Sequence, residues 1–244
     1  MSARITGATA LRVLKQIAHD RRTVALLIVV PSVLMVLLRY VFDDATKFDQ
    51  LAPTLLGVFP FVTMFLVTSV AMLRERTTGT LERLLTTPMS KVDLLLGYGI
   101  AFGVAATVQA LATCAVTYWL LGLDTAGSPW SVVVVAVADA ILGMALGLFV
   151  SAFARTEFQA VQFMPLVVVP QLLLCGLFAA RDTMAGWLQA ISDVMPMSYA
   201  VEALNQVSIN SNITATLIKD VSIVAACAVV ALILAAATLR RRSG

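Results

Sequence analysis

The 244-residue chain is 60% hydrophobic, has a mean hydropathy of +0.93 and carries a net charge of +3. This composition cannot supply the polar surface that a soluble domain of this length needs, so it excludes a soluble globular protein and indicates a polytopic membrane protein. The basic residues flank apolar runs, which favours a role in membrane topology and excludes nucleic acid as the expected partner.

The first predicted element is an amphipathic helix at residues 4–20. Apolar residues recur there at three-residue intervals, with basic and polar residues between them: Ile5, Ala8, Leu11, Leu14 and Ile17. This pattern favours a helix lying in the membrane interface over a simple cytoplasmic extension of the first span.

Six apolar runs follow, each long enough to cross a bilayer core of about 30 Å as a helix. They cover residues 24–42, 51–73, 94–121, 131–153, 158–178 and 221–239. Six spans place both termini on one side, and that side carries thirteen of the seventeen Lys and Arg residues. The positive-inside rule therefore predicts cytoplasmic N- and C-termini.

A short charged helix is predicted at residues 77–87, between the second and third spans. Leu81, Leu84 and Leu85 fall on one helical face, while Glu82 and Arg83 fall on the other. An amphipathic helix outside the bilayer needs an apolar partner, which is either the membrane surface or a groove on another protein.

This short helix ends at Pro88, because proline excludes the preceding residue from the α region. Ser90 followed by Asp93 is typical of a capping box, and it predicts the start of the next helix.

Asp139 is the one acid deep within a predicted span, and such a residue is a functional candidate by default. Two interpretations stay open, a position on a transport pathway and a packed hydrogen-bond partner between helices. The other polar candidates within the spans are Gln109, Gln162 and Gln171. Two G-x-x-x-G pairs predict close helix packing, namely Gly143 with Gly147 and Gly99 with Gly103.

Residues 179–220 are too polar to span a membrane and too apolar for an ordinary loop. Trp187, Leu188, Ile191 and Val194 follow helical spacing, and Pro196 is suited to open a second helix. Trp187 and Tyr199 are side chains typical of the membrane interface.

Three stretches give the chain a family resemblance. They are RRTVALLIVVPSVLMVLL at 21–38, RERTTGTLERLLTTPMSKVDLLLG at 74–97 and GWLQAISDVMPMSYAVEALNQ at 186–206. Their order and spacing resemble the permease subunits of type-two ABC exporters, which export drugs, lipids or polysaccharides. The resemblance implies an all-α polytopic membrane protein with six spans, an interfacial helix, a coupling helix and short re-entrant outer helices before the last span.

The resemblance also implies the site residues. Segment 77–87 would be the coupling helix that contacts an ATPase subunit, through Gly79, Thr80, Leu81, Glu82, Arg83, Leu84 and Leu85. Segment 179–220 would form an outer gate that includes Trp187, Pro196, Tyr199 and Glu202.

The expected function is ATP-driven export without covalent chemistry in this chain, so no catalytic or metal-binding residue is predicted. No G-x-x-x-x-G-K-[ST] occurs, so ATP and Mg²⁺ are expected on a partner ATPase subunit, present in two copies. The remaining expected partners are a second permease copy, identical or homologous, and the bilayer of a bacterial plasma membrane. Few charges in the spans favour a hydrophobic or amphipathic cargo such as a drug or lipid. The alternatives are a polysaccharide cargo and a proton-coupled secondary transporter that uses Asp139.

Overall fold

The structure is a computed structural model that describes residues 3–42, 44–79 and 90–238. Across these residues the regular structure is entirely helical. The α-helices are α1 (Ala3–His19), α2 (Arg21–Phe42), α3 (Ala45–Thr77), α4 (Lys91–Ala115), α5 (Pro129–Val150), α6 (Glu157–Leu174), α7 (Gly186–Val194), α8 (Pro196–Ile209) and α9 (Ala215–Thr238). A π-turn at Val116–Leu120 extends α4, and a 3₁₀ turn at Arg181–Thr183 precedes α7.

Six helices in the described part are long and apolar enough to cross a membrane: α2, α3, α4 with its π-turn, α5, α6 and α9. The prediction of six spans is therefore confirmed. The boundaries differ by a few residues at most of the spans. Helix α3 runs from Ala45 to Thr77, six residues before and four residues beyond the predicted second span. Helix α9 begins at Ala215, six residues before the predicted span, and α6 ends at Leu174. The chain turns just after α6 because Gly176 has a φ of 96°, a left-handed conformation that favours glycine.

Polar side chains mark the starts of several helices. Ser90 Oγ accepts a hydrogen bond from the Asp93 backbone N–H at 3.0 Å and donates one to the Asp93 carboxylate at 2.7 Å. The predicted cap of α4 is therefore confirmed. Ser128 and Thr156 cap α5 and α6 in the same way, by accepting from backbone N–H groups two or three residues later.

The centre of the bundle is the pair α3 and α5. A Cβ atom at Gly143 would fall against the backbone of Phe61, and one at Gly147 against the backbone of Phe65. The Thr68 hydroxyl donates to the Met64 carbonyl of its own helix at 2.7 Å and lies 3.2 Å from the Met144 carbonyl of α5, which it contacts as a second acceptor. The glycines of α5 thus let the two backbones touch without intervening side chains.

Helix α1 packs on α4 through small and polar residues that lie beside the predicted apolar stripe. The buried residues of α1 are Thr6, Thr9, Ala10 and Val13, whereas Leu11 from the predicted stripe is 55% exposed. The reason lies in α4, where a Cβ at Gly97 would come within 2.6 Å of Thr9 Cβ. The two helices approach too closely there for large apolar side chains, so small residues form the interface.

We call the end of the bundle that carries α1, the end of α3 and the start of α4 the α1 end. The opposite end carries α7 and α8. Their bounds agree with the prediction that Trp187, Leu188, Ile191 and Val194 share a helix and that Pro196 begins another.

Candidate functional site

The residues predicted to contact an ATPase lie at the α1 end, mostly outside the described residues. Helix α3 runs to Thr77, so the predicted segment begins at the last residue of that helix. Gly79 has a φ of 71°, a left-handed conformation that favours glycine just after the end of the helix. Six predicted contact residues lie outside the described part of the chain: Thr80, Leu81, Glu82, Arg83, Leu84 and Leu85.

The structure does describe the two helices that flank this segment, and one side chain of α1 contacts both. Arg12 Nη2 donates to the hydroxyl of Tyr98 on α4 at 2.6 Å. Its Nη1 lies 3.8 Å from the Glu75 carboxylate on α3, and its guanidinium carbon lies 5.7 Å from the centre of the Tyr98 ring. Arg12 therefore joins the end of α3 to the first turns of α4.

A second contact ties α1 to the start of α4. The Thr6 hydroxyl donates to Asp93 Oδ1 at 3.4 Å, and Asp93 is itself the capping partner of Ser90. Because both Glu75 and Asp93 contact α1, this helix bridges the two ends of segment 80–89.

Sequence reasoning missed Arg12, Glu75 and Tyr98 as a group. Arg12 and Tyr98 are separated by 86 positions, and the pattern of the sequence carries no signal for that pairing. Arg12 stood out only as one of the basic residues that predict the orientation.

Helices α3 and α6 are joined at the same end by an ion pair. Arg74 donates two hydrogen bonds to the carboxylate of Glu157, at 2.7 and 3.0 Å. Both side chains are more than half exposed, so the pair contributes little to the free energy of unfolding, and its effect is to orient Arg74.

Asp20, between α1 and α2, is also at this end. Its carboxylate accepts hydrogen bonds from the Thr23 hydroxyl at 2.6 Å and from the backbone N–H groups of Thr23 and Arg22. The hydrogen bonds from Thr23, followed by the one from Arg22, hold the pKa of Asp20 below its ordinary value. Asp20 is therefore ionised at neutral pH.

Asp139 lies in the middle of α5 and is 0% exposed. A Cβ atom at Gly57 of α3 would lie 3.1 Å from Asp139 Oδ2 and 2.6 Å from a methyl group of Leu204 on α8. Neither carboxylate oxygen has a hydrogen-bond partner among the described residues. Within one chain, Asp139 therefore occupies a packed position between α3 and α8.

The three glutamines occupy separate environments. Gln109 is 0% exposed and donates to the Thr63 hydroxyl of α3, while Gln171 is buried and donates to the Val167 carbonyl of its own helix at 3.1 Å. Gln162 is exposed on α6. Their hydrogen bonds therefore do not join them to Asp139.

The two glycine pairs also differ. Gly143 and Gly147 form the close contact with α3 described above. At Gly99 an added Cβ would meet only Leu232 at 3.8 Å, and at Gly103 it would meet nothing within 4 Å. Within one chain, Gly99 and Gly103 therefore do not form a close contact with another described helix.

A polar network holds the segment between α6 and α8 at the opposite end. Arg181 Nε donates to the Ser192 hydroxyl at 3.0 Å, its Nη2 pairs with Asp193, and its guanidinium lies 5.5 Å from the Tyr199 ring centre. Ser192 in turn donates to the Leu174 carbonyl at 2.7 Å, which fixes α7 to the end of α6.

The predicted outer-gate residues lie around this network. The Tyr199 hydroxyl donates to the Asp193 carbonyl at 2.7 Å, and Glu202 accepts from Gln206 at 3.4 Å. Trp187 is 67% exposed at the start of α7, and Pro196 begins α8. Arg181 and Ser192, which organise the network, were not singled out by sequence reasoning.

With this geometry described, comparison with known proteins defines the class. A profile of the family described as ABC-2 type transporter matches residues 6–208. The chain belongs to this family of ABC transporter permeases, and its all-helical fold with six candidate spans agrees with that membership.

Its relatives include proteins named for drug transport. The chain is 26% identical over 193 residues to the probable multidrug ABC transporter permease YbhS of Escherichia coli (strain K12), covering 78% of this chain and 51% of that protein. It is 26% identical over 155 residues to the probable multidrug ABC transporter permease YbhR of the same organism, covering 64% and 42%. It is also 28% identical over 138 residues to the linearmycin resistance permease protein LnrN of Bacillus subtilis (strain 168), covering 57% and 36%. The chain thus matches about half of the length of these relatives or less.

Proposed function

We propose that the chain is the membrane-spanning permease subunit of an ATP-driven exporter that moves a drug or another hydrophobic or amphipathic molecule out across the plasma membrane. Family membership and the names of the relatives support the drug-export part of this proposal. The proposal places ATP and Mg²⁺ on a separate ATPase subunit in two copies, together with a second permease copy, identical or homologous.

The observation that carries the proposal is the attachment of segment 80–89 at both of its ends. Glu75 on α3 contacts Arg12 of α1, and Asp93 on α4 contacts Thr6 of α1. A force applied to the segment between them would be transmitted to α3, to α4 and to α1 together. This is what a coupling helix needs if movement of an ATPase is to reorient the spans.

The decisive experiment is co-purification with an ATP-binding subunit encoded beside this chain. Leu84→Asp places a charge on the predicted apolar anchor, so we expect it to abolish both co-purification and stimulation of ATP hydrolysis. Arg155→Asp is the control, because Arg155 is an exposed residue at the same end of the bundle. Transport that continues at the normal rate in the Leu84→Asp variant would contradict the proposed coupling.

The cargo is proposed as a hydrophobic or amphipathic molecule because the described spans carry few charged residues and the relatives named above include permeases named for multidrug transport and drug resistance. Competition assays with an assembled transporter in proteoliposomes can rank drugs against a lipid and a polysaccharide. Preferential transport of the polysaccharide would replace this part of the proposal.

A further inference from the structure

An open cavity of about 550 Å³ lies at the α1 end, lined by residues of α1, α2, α3, α4 and α6. This volume falls within the range of pockets that hold drug-sized ligands. Much of its wall is apolar and comes from four of these helices: Leu26 of α2, Leu66 and Val67 of α3, Phe102 of α4 and Val161 of α6. Leu26 and Val161 are themselves exposed, so an apolar rim leads into the cavity from outside the bundle.

The polar part of the wall has an excess of negative charge. Asp20 and Glu75 contribute carboxylates, and Asp20 is held in its ionised form by its hydrogen bonds to Thr23 and Arg22. Arg74 also lines the cavity, but both of its hydrogen bonds described above go to Glu157. The Arg74 charge is therefore paired with a carboxylate outside the wall, and the Glu75 charge is likewise paired, at longer range, with Arg12. Three acids (Asp20, Glu75 and Glu157) against two arginines (Arg12 and Arg74) leave one excess negative charge.

Glu75 is the residue that points to a ligand. It is only 7% exposed, its Oε1 lies 3.8 Å from Arg12, and its carboxylate also interacts with the Tyr98 hydroxyl. The other carboxylate oxygen, Oε2, is buried and has no hydrogen-bond partner among the described residues. A buried carboxylate oxygen without a donor is costly, and such atoms in proteins normally have a partner.

We propose that this cavity binds a cationic amphiphile, meaning a molecule with an apolar body and a protonated amine. The apolar body would lie against Leu66, Val67 and Phe102, and the ammonium group would face Glu75 and Asp20. An anionic amphiphile would place its charge against the same two carboxylates and would be repelled. The inference rests on the proposed export function, because it assigns the cavity as the site where such a cargo enters the chain from the membrane side.

The test uses the purified full-length chain in phosphatidylcholine nanodiscs, with no ATPase subunit present. Three photoreactive probes share one twelve-carbon chain and differ only in the head group: a primary amine, an alcohol and a carboxylate. Crosslinks are mapped by mass spectrometry, and affinity is measured by competition with the unlabelled amine. We expect the amine probe to label the segments that line the cavity, and to bind about tenfold more tightly than the carboxylate probe.

Variants distinguish the effect of the carboxylate charges from the effect of the cavity volume. Glu75→Gln removes the charge but keeps the shape, and is expected to weaken the amine probe about tenfold while leaving the alcohol probe unchanged. Asp20→Asn removes the second negative charge, and asparagine can still cap α2. Ala71→Phe fills the cavity and is expected to weaken the amine and alcohol probes alike. Asp124→Asn is the matched control, because it removes an exposed acid at the opposite end.

Labelling of the cavity by amine and carboxylate probes with equal affinity would overturn the inference, as would an unchanged amine affinity in both Glu75→Gln and Asp20→Asn. The outcome is independent of the proposed coupling. If an assembled transporter exports cationic amphiphiles but the amine probe labels only other segments, the cavity is not the site. If the probe labels the cavity but no ATPase associates, the binding site stands and the proposed export function fails.

Discussion

At the scale of single residues, glycine decides how closely the central helices approach. A Cβ atom at Gly143 would lie 2.9 Å from the Cα and carbonyl carbon of Phe61, a distance that real Cβ atoms do not tolerate against backbone. Gly103, on α4, has open space at the corresponding position. The same residue type in the same four-residue spacing therefore has different consequences in the two helices.

We expect Gly143→Ala to lower the free energy of unfolding by about 1–3 kcal/mol, because the added methyl group must push α3 and α5 apart. Gly103→Ala is the control and should leave stability unchanged or slightly higher, since alanine is the better helix former. Thermal or denaturant unfolding of the purified variants in detergent measures both. Equal stability of the two variants would show that α3 and α5 do not depend on this contact.

Asp139 gives a second prediction at this scale. Its carboxylate is fully buried without a partner in the described structure, so the isosteric neutral variant Asp139→Asn loses no ion pair that the structure shows. We expect Asp139→Asn to fold normally and to keep most of its ATP-driven transport. Loss of transport in a well-folded Asp139→Asn variant would instead favour the proton-coupled alternative, in which the carboxylate must titrate.

At the scale of helices, α1 contacts both α3 and α4 and links the two. The bond from Arg12 to Tyr98 and the approach of Arg12 to Glu75 converge on one guanidinium. Removing this side chain should loosen the attachment of α1 even though every membrane-crossing helix stays intact.

A double-mutant cycle with Arg12→Gln and Tyr98→Phe measures this attachment. We expect a coupling free energy of about 1 kcal/mol, because a charged donor contacts a hydroxyl and Arg12 is partly exposed. Arg4→Gln, an exposed change on the same helix, should show no coupling with Tyr98→Phe. Strictly additive effects of Arg12→Gln and Tyr98→Phe would mean that the bond contributes nothing in the membrane.

At the scale of the whole molecule, the distribution of charge predicts the orientation in the membrane. The two ends of the helical bundle can be distinguished by single cysteines at exposed positions, Arg155→Cys near the α1 end and Trp187→Cys at the opposite end. Cys114, Cys175 and Cys227 must first be replaced.

We expect a membrane-impermeant maleimide to label Trp187→Cys on intact cells and Arg155→Cys only after the cells are opened. The reason is the excess of basic residues at the α1 end, which favours the cytoplasmic side. Labelling of Arg155→Cys on intact cells would reverse the orientation. It would also rule out a cytosolic ATPase at segment 77–87.

The sequence predicts the helices well because each long apolar run has the length that a bilayer requires. The cap at Ser90 and the helix start at Pro196 were predictable for a similar reason, since both depend on residues within one turn. Local chemistry of this kind can be read without knowledge of the tertiary structure.

The interface of α1 was not predictable from the same rules. The amphipathic pattern assigns the apolar stripe, with Leu11, to the membrane interface and does not indicate which residues face α4. These are Thr6 and Thr9, which are buried. Which residues of α1 face α4 depends on Gly97, which lies nearly ninety positions after Thr9 in the sequence. Gly97 allows the backbones of α1 and α4 to approach each other closely. The contacts of Arg12 and the network around Arg181 are tertiary in the same sense, and no local spacing encodes them.

The close contact between α3 and α5 has a consequence for how the molecule can change shape. Backbone-to-backbone packing at Gly143 and Gly147, with the approach of Thr68 to Met144, leaves no room for the two helices to slide past each other at these positions. We therefore expect α3 and α5 to move together as one rigid unit. A rearrangement that opens a path is then expected at the peripheral helices α2, α6 and α9, so distances measured across their contacts should change while distances between α3 and α5 stay constant.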